Sequence, residues 1–270
     1  MALFGKRKNV TVSPLTSDCN MMRYEVGNLQ EIGSRKRQED SFVLVNALDE
    51  QKYRTSGLMF AVCDGMGGMK DGKIASETAV RSLRCSFKAM NMKREIASQL
   101  RDSVFQASEE VKNVLEGEGG TTVVMGIIIH EQLYYASVGD SFLYLYRDGQ
   151  VYRLNREHTV CNSLYLENIR DGITEVNGCR QHLEAGALEQ FLGMSGLSDV
   201  DSSVRPIRLH KNDIILACSD GLARNVTESE IIEALQWPLV KGECDRLEHY
   251  LISHGNINQD NYTAILVRCV

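Results

Sequence analysis

Apolar residues fall along this chain mostly in short runs that are β-branched or alternate with polar ones, the patterns of buried and half-buried strands. Such runs cover Ser41 to Ala47, Gly57 to Cys63, Thr121 to Ile129, Leu133 to Val138, Phe142 to Tyr146, Val151 to Leu154, Ser203 to Leu209, Asp213 to Cys218 and Tyr262 to Cys269. Asp148-Gly149 separates Leu143-Tyr-Leu-Tyr-Arg147 from Gln150-Val-Tyr-Arg153 and supplies the positive φ angles of a tight hairpin turn. Asp171-Gly172 is expected to be a second such turn. The helical period is rarer. Ala75, Ala79, Leu83 and Phe87 recur every four residues and predict one apolar helix face from Ile74 onward. Helices are also predicted from about Lys93 to Leu115 and from Cys244 to Ser253. Thr227-Glu-Ser-Glu230 before Ile231-Ile232 is a capping box that starts another. Antiparallel strands with helices grouped in pairs predict an α+β fold, two sheets covered by helices.

Residues 1–22 lack any period and are expected to form a mobile tail. Residues 23–270 read as a single domain, with no repeat, no low-complexity linker and only three prolines in the chain. Residues 157–197 are weakly periodic and hold several glycines, the pattern of a flexible loop. The net charge of −6 offers no general attraction to nucleic acid or anionic membranes. Lys6-Arg7-Lys8 reads as a solvated patch, and the longest apolar stretch, Val123 to Ile129, is too short to span a bilayer. No apolar segment follows Lys6 to Asn9 as in a secretory signal, and the eight cysteines form no C-x-x-C pair. A reducing, cytoplasmic setting is therefore expected, without disulfides or structural zinc.

Five places put an acid where a buried strand meets a rim. Glu39-Asp40 precedes Ser-Phe-Val-Leu-Val, and Asp260-Asn261 precedes Tyr-Thr-Ala-Ile-Leu-Val. Asp64, Asp140 and Asp220 each follow a strand run. A lone Asp-Gly after a strand is ordinarily a turn, as at Asp148-Gly149. Asp64-Gly65 and Asp220-Gly221 differ, because long apolar runs precede them and helices rather than return strands follow. Carboxylates gathered at one sheet edge repel unless a cation neutralises them. An oxygen-only set selects magnesium or manganese over zinc, and two such ions about 3.5–4 Å apart activate water against a phosphoryl group.

The chain resembles the metal-dependent protein phosphatases of type 2C, the PPM family, as a compact member of bacterial type. The matching motifs are Arg35-x-x-Gln-Glu39-Asp40, Asp64-Gly-Met-Gly-Gly68, Gly120-Thr-Thr122, Val138-Gly-Asp140-Ser, Ser219-Asp220-Gly-Leu222 and Asp260-Asn261-x-Thr263, in the family's order. The resemblance implies a four-layer α-β-β-α sandwich with a metal cleft at one end, and a variable flap beside that cleft at about residues 157–197. It implies hydrolysis of phosphoserine and phosphothreonine in proteins by a metal-bridging hydroxide, without a covalent intermediate. Asp64 then resembles the ligand shared by two Mn2+ or Mg2+ ions, and Gly65 offers its carbonyl to the second. Glu39 resembles the second ion's other protein ligand, supported by Asp40. Asp220 and Asp260 resemble ligands of the first ion. Asp140 with Asp220 resembles a third-ion position. Arg35 resembles the phosphate-binding arginine, with Arg37 as the alternative owner of that role. The implied partners are phosphoproteins, among them a serine/threonine kinase and its targets, met by a monomer.

The chain departs from the family at Gln38, where Asn is frequent, and at Phe142, where Arg often follows Gly-Asp-Ser. Met66 stands where some members have a proton-donating His. Two other motifs are decoys. Cys218-x5-Arg224 has the spacing of cysteine-dependent phosphatases, but Asp220 would put negative charge inside the anion cradle. Gly67 to Ile74 nearly fits a phosphate-binding loop, yet Ile74 stands where Ser or Thr must hold magnesium. The rival function is a catalytically inactive phosphatase fold used as a binding module. The loss of an acid would favour it, and all the acids are present.

Overall fold

The structure is a computed structural model that describes residues 22–66, 71–174, 177–237 and 240–270. The tail expected at 1–22 lies outside the described residues up to residue 21, as does the stretch 67–70 of the glycine-rich motif and decoy.

In chain order the strands are β1 (Tyr24–Glu31), β2 (Ser41–Val45), β3 (Leu58–Cys63), β4 (Val123–Ile129), β5 (Gln132–Val138), β6 (Phe142–Arg147), β7 (Gln150–Arg153), β8 (Asp201–Ser202), β9 (Ile207–Arg208), β10 (Ile214–Cys218) and β11 (Tyr262–Cys269). The helices are α1 (Glu50–Ser56), α2 (Gly72–Ala89), α3 (Ile96–Leu115), α4 (Val160–Arg170), α5 (Asn177–Arg180), α6 (Asp220–Ala223), α7 (Glu228–Leu235) and α8 (Val240–Ser253). One sheet runs β1-β11-β10-β6-β7, the other β2-β3-β4-β5-β8, with β9 also on β5. Every pairing is antiparallel.

Strand periodicity builds the layers. Met59, Ala61 and Cys63 of β3 pack under α2 and α3, while Leu58, Phe60 and Val62 face the second sheet. Ile215 and Ala217 of β10 meet that middle layer, with Ile265 and Val267 of β11. Their alternates Leu216, Cys218, Ala264 and Leu266 pack under α7 and α8. The result is helix pair, sheet, sheet, helix pair. Strands β3, β4 and β10 carry no polar side chain because both faces are covered.

The capping box stands as expected: Thr227 Oγ1 accepts from the Glu230 N–H, and the Glu230 carboxylate accepts from the Thr227 N–H. The Asp148-Gly149 hairpin turn also stands, with φ of 53° and 79°. Three expectations need correction. The run Ser203 to Leu209 is not one strand: only Ile207–Arg208 within it is paired, as β9, the short β8 ends just before it at Ser202, and between them lies Pro206, which has no N–H to give a ladder. Asp171-Gly172 is not a hairpin turn; it ends α4, with Gly172 at φ 77°. The flap is also not all loop, since it carries α4 and α5. The elements β1 and α1 were not expected, and α1 starts at Asp49, whose side chain accepts from the Lys52 N–H.

Candidate active site

The site is built where β3, β10 and β11 end or begin. The turn before β2 joins it, held there by Asn261. The Asn261 side-chain amide donates to the carbonyls of Ile32 (2.8 Å) and Arg37 (3.0 Å), and its Oδ1 accepts from the Glu39 N–H (2.7 Å). Gln38 closes the same turn, donating to the Glu31 carbonyl and accepting from the Asp40 N–H at 2.8 Å. The change from Asn to Gln at this position therefore keeps a bridging amide.

Asp40 is fully buried. Its Oδ2 accepts from Thr263 Oγ1 (2.7 Å) and Ser219 Oγ (2.9 Å), so β10 and β11 both grip it. Its Oδ1 is buried and receives no donor from the described residues. Burial raises its carboxyl above the usual range, against the two hydroxyls.

Asp64 follows β3. Its N–H donates to Thr122 Oγ1, and its carbonyl accepts from Thr121 Oγ1 and the Thr122 N–H. The Gly-Thr-Thr motif thus supports the backbone of Asp64. Its side chain lies against those of Asp40 and Asp220. Burial holds its carboxyl well above the usual range, and the charges of Asp40, Asp220, Asp140 and Asp260 add to this. Gly65 is in close quarters: a Cβ there would sit 2.2 Å from the Gly72 carbonyl oxygen and 2.6 Å from that of Glu39. Gly221 is equally confined, with the Asn261 carbonyl oxygen 1.9 Å from such an atom.

Two arginines face the acids. Arg35 Nη2 lies 2.6 Å from Asp260 Oδ2. Arg224 lies 2.8 Å from Asp140, 3.2 Å from Asp220 and 3.5 Å from Glu157. Asp140 is nearly buried, and its carboxyl is pushed up to about 6 by burial and Asp220, with Arg224 pulling the other way. Asp220 is raised by burial, again against Arg224. Among the described residues no three acid, thiol or imidazole side chains are drawn into a finished coordination shell. The arginines take up oxygens of Asp140, Asp220 and Asp260.

The structure thus brings Asp40, Asp64, Asp140, Asp220 and Asp260 together, as mutual electrostatic neighbours. The Glu39 backbone and Gly65 sit beside them. Arg35 reaches the rim, while the exposed Arg37 gives its carbonyl to Asn261. Sequence reasoning missed the supporting roles of Asn261, Ser219 and Thr263, although each lies inside a motif it singled out. It reached Arg224 only as the end of the cysteine decoy. Cys218 is fully buried and its thiol is pushed up by burial, so it is no thiolate nucleophile.

The two-sheet core with acids gathered at its edge is shared with the protein serine/threonine phosphatases to which the chain is similar. The chain belongs to the protein phosphatase 2C family, whose model matches residues 24–171. It is 34% identical over 215 residues to the serine/threonine phosphatase stp of Listeria monocytogenes, covering 76% of this chain and 82% of that protein. The PPM Ser-Thr phosphatase MsPP of Mycobacterium smegmatis superposes with TM-score 0.72 at 25% identity, over 90% of this chain and 97% of its own. The catalytic domain of the phosphatase PstP, solved with two manganese ions, gives TM-score 0.72 at 23% identity, over 93% and 100%. No helix among the described residues is long and apolar enough to cross a membrane.

Proposed function

We propose that this chain hydrolyses phosphoserine and phosphothreonine in proteins with the help of two divalent cations, without a covalent intermediate. The convergence of acids from both sheets carries the reading, with the buried, donor-less Oδ1 of Asp40 beside Asp64. An oxygen-only donor set of this kind fits magnesium or manganese. The manganese in the PstP structure supports the same choice.

Asp64 would hold both ions, with Asp220 and Asp260 on the first and Glu39 and the Gly65 carbonyl on the second. Asp40 would stand behind them. When bound, the ions activate a water for attack on phosphorus and neutralise the phosphoryl charge. Arg35, with its side chain 56% exposed, leaves Asp260 and grips two phosphate oxygens. The Met66 thioether has no proton to give, so water protonates the leaving serine or threonine oxygen. The substrates are products of a serine/threonine kinase, and the enzyme works as a cytoplasmic monomer.

The test is hydrolysis of para-nitrophenyl phosphate and of a phosphothreonine peptide, with manganese supplied or chelated. Hydrolysis that needs manganese is expected. Full activity in chelator would overturn the reading, and none in either condition would favour the inactive binding module.

A further inference from the structure

Resemblance puts a third cation between Asp140 and Asp220, but a side chain of this protein already stands there. Arg224 follows the short helix α6, and its backbone N–H donates to the Asp220 carbonyl. Its guanidinium turns back onto the acids. Nη2 lies 2.8 Å from Asp140 Oδ2 and 3.5 Å from Glu157 Oε2, while Nε lies 3.2 Å from Asp220 Oδ2. Glu157 is itself held by Arg153, 2.8 Å from its Oε1, and Arg153 stacks over the Phe142 ring at 4.2 Å. Charges thus alternate from Arg153 through Glu157 and Arg224 to Asp140 and Asp220.

We infer that Arg224 is a built-in cation that closes the third-ion position, so that this enzyme binds two ions and not three. The inference rests on the two-ion reading of the same site. A metal entering between Asp140 and Asp220 needs the carboxylate oxygens that Arg224 occupies. It would find two carboxylates, one of them shared with the first ion, and water for the rest. Sites this poor in protein ligands bind divalent ions weakly, as the weakest calcium sites do, with Kd roughly 10⁻⁴–10⁻³ M. A guanidinium tethered beside them competes at an effective concentration on the order of millimolar or more. It also meets Asp140, Asp220 and Glu157 at once. Removing the guanidinium charge should therefore open the site.

The experiment is equilibrium dialysis against about 1 mM manganese, near the upper end of the range for such poor sites. Bound metal is then counted by elemental analysis. Wild type should hold two ions per chain. Arg224→Gln should hold three, the third at least about tenfold tighter than any third ion in wild type. Arg224→Met keeps the aliphatic stem and should do the same, guarding against a Gln variant that folds poorly. Adding Asp140→Asn to either variant should return the count to two. Three ions in wild type would overturn the inference. Two ions in both Arg224 variants would do so as well, with the two-ion reading intact. A third ion that survives Asp140→Asn sits elsewhere and also overturns it. If wild type binds no ion, the reading and the inference fall together.

Discussion

Asp64 stands where a buried strand stops, and burial, with the charges of four other carboxyls, raises its proton affinity. A group in that position either keeps a proton or meets a cation. Two ions held about 4 Å apart repel, and a carboxylate lying between them offsets that repulsion. Asp64→Asn keeps the size of the side chain and removes the charge. It should lose both ions at micromolar manganese and nearly all activity, with an unchanged circular dichroism spectrum. Two tightly bound ions in that variant would remove Asp64 from its bridging place. Arg35 is a separate case, because it sits at the open rim and Asp260 is its partner. Arg35→Lys gives up two-point contact with phosphate, so KM for phosphopeptides should rise about tenfold with a smaller change in kcat. If Arg37→Lys raises KM and Arg35→Lys does not, the phosphate is held by the other arginine.

Elements differ in how plainly they were written. The strands β3, β4, β10 and β11 are covered on both faces, so continuous apolar runs announce them. β1 buries only Tyr24 and Leu29 among its eight residues, and its hold is the ladder to β11, which no local pattern announces. α4 buries none of its side chains, so its apolar residues had no single face to repeat on. The acids were legible because each sits at the end of a legible strand. Arg224 was not, since its partners Asp140 and Glu157 lie far away in sequence and only the pairing of β10 with β6, and of β6 with β7, brings them near. The flap entrance offers a test at this scale. His158 is buried, and its Nδ1 accepts from the Gly139 N–H, one residue before Asp140. Burial holds its pKa below the ordinary value, with the Arg156 charge adding to this. The unfolded chain therefore binds the proton more readily than the folded one. Stability should fall as pH drops below about 6.5, until the folded-state value is passed. Melting temperature between pH 7 and pH 5.5 should drop more for wild type than for His158→Gln. Equal drops would show that this ring is not the source.

At the scale of the whole molecule, stability lies in stacked apolar layers. The middle one joins the sheets, and Phe60 is its largest fully buried side chain. Its ring fills the space beside Gly126, where a Cβ would come within 2.3 Å. Phe60→Ala should cost about 3–5 kcal/mol in denaturant unfolding. It should also weaken manganese binding, since the two sheets bring different acids to the site. Unchanged stability would mean that the sheets are held together elsewhere. The β1–β11 ladder also has a consequence in time. It pairs Tyr24 with Cys269 and Glu31 with Tyr262. On a ribosome adding about 5–20 residues per second, roughly 230 residues separate the two strands, so β1 waits on the order of ten seconds or more for its partner. A waiting strand of apolar residues would invite pairing with other nascent chains. The sparse apolar content that hides β1 from a reader of the sequence is also what makes that wait safe.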